Sequence, residues 1–309
     1  MDFNTQLTLF STRFLGIFIE AISFLLLGTI VSGLIEVFVR KEDIARFMPR
    51  NPIAAIAAGS FLGFLFPVCE CGVVPVTRKL YQKGLPVSVG VAFLLAAPVM
   101  NPIVFASTYA AFGFGPILIG RFVITFIMAV AVGLLLGLER SPIKLLQPRA
   151  FMVMTGGSGA AAPRPSMPPA SFGQSLVRAA RVATDEFFDM GRYLVMGTAL
   201  AAAMQTFFSQ EQIRALASDP AMSAVAMALM AFVLSICSTT DAILALSFAN
   251  LGFPAGSLLT FLTFGPMVDI KAMLMYLSIF KRRIVIYMAV LPLLMSLLFG
   301  IFINLNVRF

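Results

Sequence analysis

The run Phe66-Pro-Val-Cys-Glu-Cys-Gly-Val-Val-Pro75 halts an apolar stretch, Ile53–Leu80, near its middle. That stretch is too short to cross a bilayer twice, yet basic residues flank it on both sides: Arg40, Lys41, Arg46 and Arg50 before it, Arg78, Lys79 and Lys83 at its end. The positive-inside tendency puts both flanks in the cytoplasm, so the stretch is expected to enter and return as two half-helices, with Pro75 just inside the second. A second stretch, Ala221–Ala249, breaks in the same way at Cys237-Ser-Thr-Thr-Asp241, with one cysteine in place of two. Neither of its flanks is strongly basic, and this hairpin is expected to open to the outside.

The rest of the chain agrees with a membrane setting. Of its 309 residues 60% are hydrophobic and 12% charged, with a mean hydropathy of +0.97. Runs such as Phe14–Val39, Ile117–Leu138 and Ile284–Ile303 are each long enough to cross about 30 Å of hydrocarbon as a helix. Phe14–Val39 has no basic segment before it and no small-residue cleavage site after it, so it is expected to stay as a first membrane helix. The net charge of +8 does not point to nucleic acid, because sixteen of the 22 cations cluster in four segments: 40–50, 78–83, 140–181 and 281–283. These are the expected cytoplasmic loops. The absence of His and Trp excludes His-ligated metal centres, a Ser-His-Asp triad and Trp interface belts. No G-x-x-x-x-G-K-[ST] loop is present, so energy from nucleotide by that device is excluded too.

Displacing the chain on itself by 168 residues brings Cys69 onto Cys237, Gly84 onto Gly252, Pro86 onto Pro254, Pro98 onto Pro266 and Asn101 onto Asp269. One further residue of offset brings Gly28-Thr29 onto Gly197-Thr198. Coincidences of glycine, proline and cysteine mark a duplication. The expected architecture is an all-α polytopic membrane protein of two inverted repeats, each with three transmembrane helices and a re-entrant helical hairpin. The boundaries are 1–140 for the first repeat, 141–171 for a flexible cytoplasmic Gly-Pro-rich linker and 172–309 for the second repeat. Ser171–Arg192 mixes charged and apolar residues and is expected to begin as an amphipathic interfacial segment before a crossing helix that ends near Phe208. Gly59–Gly63 and Gly133–Gly137 have the spacing of plain helix packing. An inverted duplication with helices interrupted at equivalent places points to a secondary transporter whose site lies between the repeats.

All three cysteines lie at the two breaks. Cys69 and Cys71 bracket Glu70, a spacing that on a turn aims two sulfurs at one ion, and thiolates select soft acceptors such as Cu(I), Zn or thiophilic metalloids. If the tips meet, Cys237 supplies a third sulfur. A tetrahedral zinc needs a fourth ligand, for which Glu70, Asp241 and Asp269 are candidates. Helix N-termini beside the breaks equally suit an anion or a thiol-reactive sulfur species, and a membrane thiol oxidoreductase working through Cys69 and Cys71 is a third reading. Asp241 fits a capping box begun by Ser238 and equally a proton-coupling group. Asp269 lies about ten residues inside the Lys281 cluster, too deep to reach the interface, and is a second proton-coupling candidate. Lys271, two residues on, faces elsewhere on a regular helix and is not expected to pair with it. Asn101, between Pro98 and Pro102, is a substrate-binding candidate alongside Cys69, Glu70, Cys71 and Cys237, or a local partner for the broken helix.

The segment Phe66–Pro75 resembles the predicted-permease family that includes YraQ and the organoarsenical efflux permease ArsP. That family usually shows Pro-x-Cys-Ser-Cys-Gly-x-x-Pro here, and a Cys-Ser-Thr-x-Asp-like run similar to Cys237–Asp241 in its second half. The similarity covers nearly the whole chain outside the Gly-Pro segment, with Glu70 standing where the family commonly has Ser. The resemblance implies a non-enzymatic, multi-pass permease of the bacterial inner membrane, with relatives tied to methylated trivalent arsenic and to copper or zinc handling. The expected partners are a small-molecule or ion substrate and the lipid bilayer, with homo-oligomerisation left open, no role for nucleic acid and no cofactor.

Overall fold

The computed structural model describes residues 3–65, 68–139, 145–147, 172–207 and 219–306. Among them the chain is helical almost throughout, and the one β-type contact is an isolated bridge between Leu146 and Phe280. A chain this apolar has little choice, since in hydrocarbon a helix satisfies every backbone group within its own segment.

The first element, α1 (Phe3–Phe38), has 36 residues, about 54 Å at helical rise. It starts well before the apolar run that predicts it. In its polar first turns the Thr8 and Thr12 hydroxyls donate back to the carbonyls of Asn4 and Thr8, both at 2.8 Å, which satisfies the hydroxyls within the helix. After a short α2 (Lys41–Phe47) come α3 (Pro52–Leu65) and α4 (Glu70–Gln82). At 14 and 13 residues these span only about 20 Å each, less than the hydrocarbon layer. The broken pair α5 (Val87–Ala96) and α6 (Pro102–Phe112) follows, then the 22-residue α7 (Pro116–Gly137).

The second half repeats that order: α8 (Phe172–Phe207), again 36 residues, the broken pair α9 (Pro220–Leu234) and α10 (Asp241–Asn250), the broken pair α11 (Ala255–Met267) and α12 (Ile270–Tyr276), and α13 (Arg282–Asn306). Packing repeats as well. α5 lies between α3 and α7 as α11 lies between α9 and α13, and α4 touches α12 as α10 touches α6. Equivalent residues do equivalent work: Asn101 caps α6 by accepting from Val104 N at 2.9 Å, and Asp269 caps α12 by accepting from Ala272 N at 2.6 Å. Gly59 seats α3 on Val89 of α5 and Gly63 on Ala97, the residue that ends it, and Gly133 and Gly137 seat α7 on Ser88, which is the helix-packing role their spacing suggests.

The two long helices α1 and α8 pack along each other, with α1 also against α4 and α8 against α12. Two glycines permit the close approach. A methyl group on Gly28 would overlap the backbone of Gly72, and one on Gly197 would lie 2.9 Å from Lys271 Cα.

The four basic segments, where described, share one end of the molecule. Lys83 donates to Glu36 O, Arg178 pairs with Glu36, Arg78 pairs with Asp189, and Lys281 N donates to Leu145 O. At the other end Asn304 binds Pro220 O and Ser257, and Ser257 binds Ser223.

One expectation is corrected here. Ser171–Arg192 is not a separate interfacial segment, because one continuous helix runs from Phe172 to Phe207. Glu186 and Asp189 pair with α4, Lys79–Glu186 at 3.3 Å and Arg78–Asp189 at 2.7 Å, and Arg178 pairs with Glu36 of α1, while Arg181, Asp185 and Arg192 stay exposed along the same helix. Ser171 and Phe208 themselves lie outside the described residues. The expected linker 141–171 also lies outside them, apart from 145–147. There Leu145 and Leu146 are buried and Gln147 N donates to Ile279 O at 2.8 Å, so this part is docked on the loop before α13.

Candidate functional site

Both breaks are places where local chemistry denies the helix its hydrogen bonds. In the first, Cys69 has extended backbone (φ −81°, ψ 179°) and stands as the N-cap of α4. One turn later Pro75 carries no N–H, so the Cys71 carbonyl has no helical donor. In the second, α9 ends on Ser235 in the left-handed region (φ 46°), the one non-glycine described residue with positive φ. Such a conformation is held by its surroundings, and it turns the chain into Ile236–Thr240 ahead of α10.

These two breaks meet. One ligand atom from each of Cys69, Glu70 and Cys237 falls within 4.8 Å of the others. All three cysteines are free and buried. Residues far apart in the chain therefore form one cluster of two sulfurs, from Cys69 and Cys237, and the Glu70 carboxylate, while Cys71 is buried two residues from Cys69 and is not part of that group.

The carboxylate is held from the other half. Lys271 Nζ lies 3.4 Å from Glu70 Oε1 and 3.4 Å from Asp269 Oδ2, with all three side chains at most 3% exposed. The expectation that Lys271 would face away from Asp269 fails for a geometric reason. Asp269 is the N-cap of α12, with extended φ −130° and ψ 175°, so the regular-helix spacing behind the argument does not apply across it. Glu70 Oε2 is buried without a hydrogen-bond partner, an open acceptor beside the thiols.

Asp241 belongs to a second buried group. Its Oδ2 lies 2.6 Å from Arg121 of α7, which also donates to Thr108 Oγ1 at 2.8 Å and to Ser238 O at 3.5 Å. Arg121 and Asp241 are 0% and 3% exposed in their side chains. The capping-box alternative for Asp241 is not what forms, because the N-cap of α10 is Thr240 and Asp241 is the first helical residue. Arg121 Nε, Asp241 Oδ1, Ser238 Oγ and Thr125 Oγ1 remain buried without partners. Asn101 is spent locally: its Nδ2 donates to Ala97 O and Pro98 O while Oδ1 caps α6.

Arg121 and the partnership of Lys271 escape sequence reasoning, although a signal exists for the first. A lone arginine inside the apolar run Ile117–Leu138 demands a buried partner. A third polar group also goes unforeseen. Ser32 of α1 donates to Glu186 Oε2 at 2.9 Å and lies 3.3 Å from Pro75 O, while Glu186 pairs with Lys79. It borders a polar cavity of about 630 Å³ lined by Arg78, Lys79, Gln82, Glu186, Asp189 and Arg192.

Comparison with known proteins agrees with the membrane architecture. Residues 6–305 match the model of the family ArsP_1, described as a predicted permease. The chain is 43% identical over 279 residues to UPF0718 protein YcgR of Bacillus subtilis (strain 168), covering 88% of this chain and 89% of that one. It is 35% identical over 281 residues to a putative two-component membrane permease complex subunit of Streptococcus mutans serotype c, covering 88% and 87%. No solved structure matches it.

Proposed function

The chain belongs to the predicted permease family ArsP_1, and from that premise we propose a secondary transporter that moves a thiophilic metal or metalloid outward across the inner membrane. One observation carries the reading: the thiols of Cys69 and Cys237 and the carboxylate of Glu70, drawn from two breaks, converge in a buried site, with the buried Cys71 thiol two residues from Cys69. Soft sulfur donors favour a trivalent organoarsenical or Cu(I), and Glu70 would complete a set for Zn. The outward direction rests on the resemblance to organoarsenical efflux permeases.

Two inverted repeats with re-entrant hairpins are supported by how the ends are tied. The close of α4 is tied to the basic end through Lys83 and Glu36, whereas the start of α9 is bound at the opposite end through Pro220 and Asn304. Each hairpin then inserts from its own side and the tips touch at mid-membrane. Helices α1, α7, α8 and α13 and the broken pairs α5–α6 and α11–α12 supply three crossings per half.

The chemistry follows from the donors. A soft cation taken by Cys69 and Cys237 displaces the protons of both thiols. Glu70 Oε2, adjacent and unpartnered, is the nearest acceptor for one of them, and the other leaves with the water or hydroxide that the cargo sheds on binding. Burial of every ligand marks a state closed to both sides, and the polar cavity beside Lys79 and Glu186 provides the start of a route from the basic end.

Everted membrane vesicles supplied with methylarsenite, Cu(I), Zn(II) or thiosulfate test this. Uptake of a thiophilic cargo that disappears when Cys69 or Cys237 is replaced by Ser is the expected result. Uptake that persists with all three cysteines replaced removes thiolate coordination, and flux of thiosulfate alone replaces the cation with a sulfur-containing anion.

A further inference from the structure

Among the described residues six buried side-chain nitrogen and oxygen atoms have no hydrogen-bond partner, and four of them belong to one group: Arg121 Nε, Thr125 Oγ1, Ser238 Oγ and Asp241 Oδ1. Two ties make the group one place. Arg121 Nη2 donates to Asp241 Oδ2 at 2.6 Å and to Ser238 O at 3.5 Å, and Thr125 stands one helical turn after Arg121 on the same face of α7. The hydroxyls single the group out. Every other buried serine or threonine among the described residues has a bonded hydroxyl, as Thr108, Thr198, Thr260 and Thr263 do by donating to the carbonyl one turn back. Thr125, in the same helical setting, does not. Native interiors leave few such atoms, so four in one group mark a bound ligand.

The donor set decides which ligand. Nη2 and Nε share one edge of the guanidinium, and Asp241 meets that edge with a single oxygen: Oδ2 is on Nη2, while Oδ1 and the Nε–H both go unused. The Nε–H only donates, Oδ1 only accepts, and the two hydroxyls do either. A cation here would face Arg121 and an anion would face Asp241, in a group whose own charges already cancel. Water donates and accepts at once, and a buried water needs about two to four polar partners.

The group adjoins the thiol cluster, because Ser238 follows Cys237 directly. It lies on the side away from the basic end: Gly120, next to Arg121, packs on Leu259, two residues from the Ser257 that Asn304 binds at the opposite end. We propose that Arg121, Thr125, Ser238 and Asp241 hold ordered water as a second buried site beside Cys237, one molecule of which bridges Arg121 Nε to Asp241 Oδ1. A further step rests on the proposed function. The water is then the first station for cargo leaving the thiols outward, as the cavity beside Lys79 and Glu186 is on the basic side, and a cargo that shed water or hydroxide on binding regains it there.

The test uses the full chain in lipid nanodiscs. A structure fine enough to show water is expected to place density between Arg121 Nε and Asp241 Oδ1. A carboxylate closed onto both nitrogens with nothing between them, or density that strengthens when bromide replaces chloride, overturns the water. Melting gives an independent reading. Thr125→Val and Ser238→Ala each remove one hydroxyl and are each expected to lower the melting temperature by about 2–4 °C, with the double variant losing less than the sum because both hydroxyls serve the same water. A buried hydroxyl without a ligand is only a desolvation cost, so a melting temperature unchanged or raised in both single variants overturns the site. In everted vesicles Ser238→Ala is expected to slow flux of methylarsenite or Cu(I) severalfold. Unchanged flux removes the outward role alone. Absence of flux in the parent protein removes the proposed function, and density and melting still decide the water site.

Discussion

Replacing Lys271 by Met removes the one ammonium that holds both Glu70 and Asp269, each at 3.4 Å. At an effective dielectric of about 20, each contact is an attraction of about 5 kcal/mol before the desolvation of the charges is counted. Breaking a buried pair by deleting one partner typically costs about 3–5 kcal/mol, because a charge stays behind unpaired. The two carboxylates do not suffer equally. Asp269 keeps the Ala272 N–H at 2.6 Å, while Glu70 is left with Oε2 already unpartnered. Adding Glu70→Gln to Lys271→Met is therefore expected to restore about 1–3 kcal/mol. With no Trp in the chain, unfolding is best followed by a fluorogenic maleimide, which the three buried thiols meet only as the protein opens. The single variant is expected to melt on the order of 10 °C below the parent, and the double variant clearly above the single one. A single variant that melts with the parent, or a double variant less stable than the single, would refute the claim that Lys271 compensates Glu70.

Three further outcomes follow from the same geometry. Arg121→Met strands Asp241 and is expected to cost about 3–5 kcal/mol, most of it recovered by Arg121→Met with Asp241→Leu, since an apolar pair replaces a buried ion pair at little cost; the same melting assay measures it. Gly28→Leu forces α1 off the Gly72 backbone and is expected to lose at least about 1–3 kcal/mol through overpacking, whereas Gly16→Leu, with open space around it, should leave the melting temperature unchanged. Asn101→Ala removes the cap of α6 and is expected to cost about 1 kcal/mol while leaving cargo flux in vesicles within twofold; abolished flux in a stable Asn101→Ala protein would place Asn101 on the cargo instead.

The parts of this fold that can be read from sequence are those written in residues with few conformational options. Pro75, Gly72 and the cysteines break an apolar run, and proline and glycine recur at the 168-residue offset, so the breaks and the repeated order of elements are visible without coordinates. Convergence of the thiols is foreseeable only through that repeat, because Cys69 and Cys71 lie far from Cys237 in the chain. The charge pairs are another matter. Arg121 and Asp241 are 120 residues apart, and Lys271 and Glu70 are 201 apart. No local pattern fixes such pairs; they follow from which helices the packing brings side by side. The continuity of α8 is hidden for the same reason, since its charges suggest a wet surface until α1 and α4 are seen to supply their partners.

The two pairs are also reciprocal. Glu70 stands in the first half of the chain and is neutralised by Lys271 of the second, while Asp241 stands in the second half and is neutralised by Arg121 of the first. Each hairpin tip thus depends on the opposite half for its counter-charge. A buried carboxylate cannot be left alone without a cost of several kcal/mol, so the halves cannot slide past one another unless something replaces the cation that is withdrawn. At Asp241 the partner is an arginine at 2.6 Å that is also fixed by Thr108. At Glu70 it is a lysine at 3.4 Å shared with Asp269, a longer and divided contact. The second is the one that loading can release, because a thiol proton passed to Glu70 removes the charge that Lys271 compensates. Under the proposed function, loading the site and releasing one half from the other then become the same electrostatic event, and the Arg121–Asp241 pair is the contact that holds while it happens.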